Sequence, residues 1–247
     1  MDTAPLFEVC LQSVDGAIAA EAGGAKRVEL CAALVEGGLS PSLGAIQACR
    51  AAVSIDIMVM IRPRGGDFLY SPAELDSMAK DIEYCKNLGV NGVVFGLLQP
   101  DGQIDLENTR RLVELARPLE VTFHRAFDVA KDPLASLEKL IELGVDRVLT
   151  SGQEATVPEG LPLIKSLVKQ SEGRIGILPG CGVTPDNVAE IVQSTGVKEF
   201  HATAFSLQSS GMHYRNPRVY MGLPGLPEYE RQLTSAAVVA SFLSPWR

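Results

Sequence analysis

The sequence predicts a single (β/α)8 TIM barrel, and three observations carry that reading. Eight short β-rich runs begin at Leu6, Arg27, Asp56, Gly92, Glu120, Arg147, Arg174 and Glu199, their starts spaced by 21, 29, 36, 28, 27, 27 and 25 residues. The intervals hold amphipathic, helix-like stretches, so the chain repeats a βα unit rather than a β-hairpin. Finally, 247 residues is the size of one such barrel. A doubly wound sheet of this length more often has fewer strands and a Gly-rich turn after the first.

Each element has a local reason. LFEVCL from Leu6 and RVELC from Arg27 alternate with period two, so Glu8 and Cys10 share one face, as do Glu29 and Cys31. DIMVMIRP from Asp56 is the third strand, followed by the Arg62–Phe68 loop and a helix spanning Ser71 to Gly89. GVVFGLL from Gly92, EVTFHRAF from Glu120, RVLTSG from Arg147, RIGILPG from Arg174 and EFHATAF from Glu199 complete the set. Ser71-Pro72, Asp132-Pro133 and Thr184-Pro185 pair a cap with a first-turn proline, and Gly89, Gly144 and Gly196 close helices before the next strand. After the eighth strand, about 206–228 reads as a long loop with three prolines, and YERQLTSAAVVASFL from Tyr229 as the eighth helix. No linker divides the chain, so residues 1–247 are expected to form one domain.

Composition narrows the function. Lys and Arg number 22 against 30 Asp and Glu, a net charge of −8 without a basic cluster, which argues against nucleic acid as a partner. No apolar run is long enough to span a bilayer, and Asp2 stands where a secretory leader would carry basic residues, so neither membrane nor secretion is expected. Five Cys without a CxxC pair suggest free thiols in a reducing compartment. Small molecules, metal ions and other protein chains remain.

In such a barrel the chemistry belongs at the carboxyl ends of the strands. The repeated E-x-C pattern puts Cys10 and Cys31 on adjacent strands, about 4.8 Å apart, near enough for both thiols to contact one ion. His201 and Cys181 are further donors, because strands seven, eight, one and two are consecutive around a closed barrel. Met58, Met60, Cys49 and Cys85 read as packing, and His213 as solvated. A second reading is an enzyme acting on a small anionic metabolite: Arg62 and Arg64 hold a carboxylate or phosphate, His124 moves a proton, and Glu8 or Glu29 is the second acid or base. Asp67, Arg125 and Ser151 would line that site, with Gly180 and Gly182 offering backbone N–H groups to a phosphate. Alternatively Glu8, Glu29, Arg62 and Arg64 neutralise one another as a buried ionic network. Schiff-base chemistry is set aside, since all eight Lys fall in helices or at the amino ends of strands, and a three-His zinc site needs every His in the chain.

At Val28-Glu29-Leu30-Cys31, Met60-Ile61-Arg62-Pro63-Arg64-Gly65-Gly66-Asp67-Phe68, Thr122-Phe123-His124-Arg125-Ala126-Phe127-Asp128, Val148-Leu149-Thr150-Ser151-Gly152 and Glu199-Phe200-His201, the chain resembles the CutC family of copper homeostasis proteins. The resemblance runs in order from Glu8 to about Gly222, and SGMHYRN from Ser210 is most similar to animal members. It implies a (β/α)8 barrel, Cu(I) binding, a cytosolic location with the nucleus as a second compartment, and assembly as a homo-oligomer, a dimer or tetramer. The family's proposed copper-binding cysteines match Cys10 and Cys31. One departure is Cys181, where relatives usually have a third glycine, so the family function cannot depend on that thiol.

Overall fold

The computed structural model describes residues 4–219, 221–222 and 225–246. Eight parallel strands follow one another around the sheet: β1 (Leu6–Leu11), β2 (Arg27–Leu30), β3 (Asp56–Met60), β4 (Gly92–Phe95), β5 (Glu120–Phe123), β6 (Arg147–Thr150), β7 (Gly176–Pro179) and β8 (Glu199–Ala202). β8 pairs with β1, and a parallel bridge between Gly180 and His201 joins β7 to β8, closing the ring. The helices between them are α1 (Val14–Gly23), α2 (Leu43–Ala52), α3 (Pro72–Asn87), α4 (Leu106–Ala116), α5 (Pro133–Glu142), α6 (Val157–Ser171) and α7 (Val188–Thr195). The eight-strand barrel expected from the sequence is the observed fold.

Period two sorts the strand residues onto two faces. Phe7, Val9, Val28, Ile57, Val93, Val121, Val148 and Phe200 face the helices and are buried in the main core. Cys10, Cys31, Met58, Met60 and Val94 pack together as a separate cluster that fills part of the barrel lumen.

Capping chemistry sets most helix ends. Ser71 and Glu74 form a reciprocal capping box ahead of Pro72, and the Asp132 carboxylate accepts from Ala135 N. Thr184-Pro185 does not begin α7. Thr184 N donates to the Asn187 side chain, and that local turn occupies the place of a first helical turn.

The tail differs more from expectation. The segment read as a loop opens with β9 (Phe205–Ser209), and the start of the expected eighth helix is β10 (Glu230–Thr234), paired antiparallel with β9. α8 is shorter, Ala236–Leu243. The pairing partner of ERQLT lies more than twenty residues upstream, beyond the reach of any local periodicity. Phe242 of α8 then meets Phe7 at 4.7 Å, and Phe7 stacks on Phe200 at 4.6 Å, which seals the end of the chain onto β1 and β8.

Candidate functional site

Cys10 is the penultimate residue of β1 and Cys31 directly follows β2, so both sit at carboxyl ends of adjacent strands. Both are buried. The register places Cys10 opposite Glu29, and both sulfurs lie within hydrogen-bond distance of one oxygen of that carboxyl group, Oε2, at 3.3 and 3.4 Å. The other oxygen, Oε1, is buried without a partner. Ligand atoms of Cys10, Glu29 and Cys31 lie within 4.8 Å of one another. Backbone covers the thiols closely: a side chain at Gly38, where φ is +91°, would come within 3.1 Å of Cys31 Sγ.

The two thiols differ. The hydrogen bond from Cys31, with His201 nearby, outweighs burial and brings Cys10 down to about 5, while that same bond and burial push Cys31 well above the thiol range. Burial, together with the charge at Cys10, holds Glu29 well above the carboxylate range. His201 donates through Nδ1 to Glu8 Oε1, 2.8 Å away, and its Nε2 lies 3.8 Å from Glu29 Oε2. Burial alone would lower it, but Glu29, Cys10 and Glu8 raise it well above the ordinary imidazole value.

Below this layer lies an ionic one. Arg27 Nε pairs with Glu8 Oε2 at 2.5 Å and its Nη2 with Glu199, while Arg147 reaches Glu199 at 3.4 Å and Glu120 at 2.8 Å. Burial opposes ionisation of Glu8, yet Arg27 and His201 hold it at about 2. The buried network anticipated from the sequence therefore exists with other cations: Glu8 is neutralised by Arg27, not by Arg62 or Arg64. The signal was available, since residues 27, 29 and 31 share one face of β2.

Arg62 and His124 form a second group around Phe68. The Arg62 guanidinium carbon is 5.2 Å from the Phe68 ring centre, and the His124 ring is 4.9 Å from it. Arg64 turns away, binding Glu74 at 2.6 Å and Asp67 at 3.0 Å and stacking on Tyr70. Asp67 is exposed, so this pair fastens the loop. Glu8, Glu29 and His201 thus form one group and Arg62 and His124 another, joined where Arg62 Nη1 donates to Gly38 O behind Cys31.

The remaining candidates have partners within the protein. Asp128 accepts from Arg125 Nε, Thr150 Oγ1, Ser151 N and Ser151 Oγ, so Arg125 and Ser151 are spent locking the β5 and β6 loops together. Added Cβ atoms at Gly180 and Gly182 would meet Leu149 at 2.6 Å and Thr156 at 2.7 Å, a packing reason for glycine at both positions. Cys181 donates to Ala155 O and belongs to neither buried donor cluster among the described residues.

Comparison with known proteins follows the same residues. The CutC family model matches residues 5–206. A CutC protein of Parabacteroides distasonis is 57% identical over 218 residues, covering 88% of this chain and 90% of that protein. The human copper homeostasis protein cutC homolog is 50% identical over 235 residues, covering 95% and 86%. The crystal structure of a CutC copper homeostasis protein from Streptococcus agalactiae superposes with a TM-score of 0.78 at 36% identity, covering 81% of this chain and 98% of that one. A barrel whose paired E-x-C strands lie inside a match of this extent leaves one conclusion, that the chain belongs to the CutC family.

Proposed function

We propose that this protein serves copper homeostasis by holding Cu(I) between Cys10 and Cys31 at the mouth of the barrel. The observation that carries the reading is the buried Cys10–Glu29–Cys31 cluster, with both thiols on one carboxyl oxygen and the other oxygen unpartnered. The donor set suits a soft ion: two sulfurs, with the apolar Met58, Met60, Val94 and Leu34 packed against them. Glu29 takes up the thiol hydrogen bonds, and His201, fixed by Glu8, places positive charge beside the thiolate that copper requires. Cys181 is outside this set. The family names given to the human and mouse relatives, copper homeostasis protein, support the same function.

We also infer a cytosolic and nuclear protein that works as a homo-oligomer, dimer or tetramer. Leu207, Met212, Tyr214 and Met221 after β8 are large hydrophobic side chains left exposed in the single chain, which self-association would cover. Light scattering on the purified chain tests the assembly.

Copper binding is tested by competition with a chromogenic Cu(I) chelator under reducing, anaerobic conditions. One ion per chain is expected. Cys10→Ser and Cys31→Ser should each weaken binding roughly tenfold or more, since loss even of a group supporting a ligand costs that much. Cys49→Ser, on the buried face of α2, should not change it. Equal losses for all three would mean nonspecific thiol binding.

A further inference from the structure

Arg62 is a buried cation with no acidic partner among the described residues. Its side chain donates only to backbone carbonyls, Nη1 to Glu36 O at 2.7 Å and Gly38 O at 3.1 Å, Nη2 to Gly66 O at 2.9 Å. Nε has no partner at all. Guanidinium is a permanent cation, and burying one without a counter-charge is costly. Every other buried arginine of the lumen, Arg27 and Arg147, faces carboxylates.

His124 adds a second orphan donor. Its Nδ1 accepts from Ala126 N at 3.2 Å, which leaves the proton on Nε2, and Nε2 is buried without a partner. Burial and then Arg62 bring His124 down to about 3, so the ring is neutral and Nε2 donates. Arg62 is 6% exposed and His124 4%. The Phe68 ring packs against both, and the Tyr70 hydroxyl, also buried and lacking a partner of hydrogen-bond geometry, adjoins the guanidinium.

Excess positive charge, two unused N–H donors and an aromatic wall together describe a receptor for an anion. We propose that Arg62 Nε and His124 Nε2 bind a small carboxylate- or phosphate-bearing molecule beside Phe68, at a site distinct from the thiol cluster. Arg64 and Asp67, engaged with each other and with Glu74, take no part.

The test is calorimetric titration of the metal-free, reduced full-length protein with malonate and with inorganic phosphate. Saturable one-to-one binding of at least one is expected, with a shift of the His124 Nε2–H resonance. His124→Asn retains an acceptor for Ala126 N but, being shorter, places no donor where Nε2 lies, and should weaken binding roughly tenfold or more, as should Arg62→Lys. Arg64→Ala should leave it unchanged. The Cys10→Ser/Cys31→Ser double variant should bind the anion as the parent does, which separates this site from copper. Failure of both anions to bind, binding indifferent to His124→Asn, or loss of binding in the double cysteine variant would each overturn the assignment.

Discussion

Arg27, Glu8, Glu199, Arg147 and Glu120 meet near the amino ends of the strands, and each of these charges faces an opposite one. One residue pair higher on the same strands, Glu29 has two thiols on one oxygen and nothing on the other, and beyond the ends of β3 and β5 Arg62 and His124 each hold an idle N–H. The same barrel therefore buries polar groups in two ways. In the lower layer the protein supplies both halves of every pair, which is the arrangement of a structural network. In the upper layer Glu29 Oε1, Arg62 Nε and His124 Nε2 lack protein partners, and in the proposed reading a ligand supplies them. Burial does not distinguish them, because Glu8 and Glu29 are equally hidden; satisfaction of their atoms does.

The contrast can be broken at several points. The largest effect on stability is expected for Arg27→Met, which removes the buried cation shared by Glu8 and Glu199 and should cost about 3–5 kcal/mol in denaturant unfolding. Glu29→Gln keeps an acceptor for the thiols and the same volume, so its stability loss should be clearly smaller while copper binding falls. Comparable losses for the two substitutions would erase the distinction between the layers.

A pH profile sharpens it further. The folded chain holds His124 neutral down to about 3, whereas the unfolded chain protonates it near its ordinary 6.5. Below that ordinary value the unfolded state binds more protons, so this group makes stability fall as pH drops from about 6.5 toward 3, by at most about 1.4 kcal/mol per pH unit. His124→Asn should flatten that part of the stability profile, measured from pH 7 to 5 where few carboxylates titrate. An unchanged slope would mean that His124 is protonated within the fold. The smallest effect is expected for Arg64→Ala, whose partners Asp67 and Glu74 lie at the surface. Its melting temperature should stay near that of the parent.

Much of this was legible in the amino acids. β1 through β6 and β8 begin at the residues where β-rich runs begin, and the E-x-C repeat singled out Cys10 and Cys31 because alternation and strand spacing are local rules. β7 begins at Gly176 instead, since Arg174 reaches out to Glu138 of α5. What escaped was non-local. The β9–β10 hairpin depends on a partner across a long segment, and ion-pair identity depends on which layer of the lumen each side chain enters. Arg62 looked like a partner for Glu8 by charge alone, yet it belongs to the group around Phe68, and Arg27 fills that role. The importance of Tyr70 and Phe68 was likewise invisible, because only the folded loop brings them to Arg62.

The central claim, that the upper layer is completed by copper on two sulfurs, is tested most directly by X-ray absorption at the copper edge on the reduced, Cu(I)-loaded protein. The account predicts a first shell of sulfur scatterers that is lost from the Cys10→Ser/Cys31→Ser variant and retained in Cys181→Ser. A first shell of nitrogen or oxygen alone, or a sulfur shell that survives loss of both Cys10 and Cys31, would contradict it.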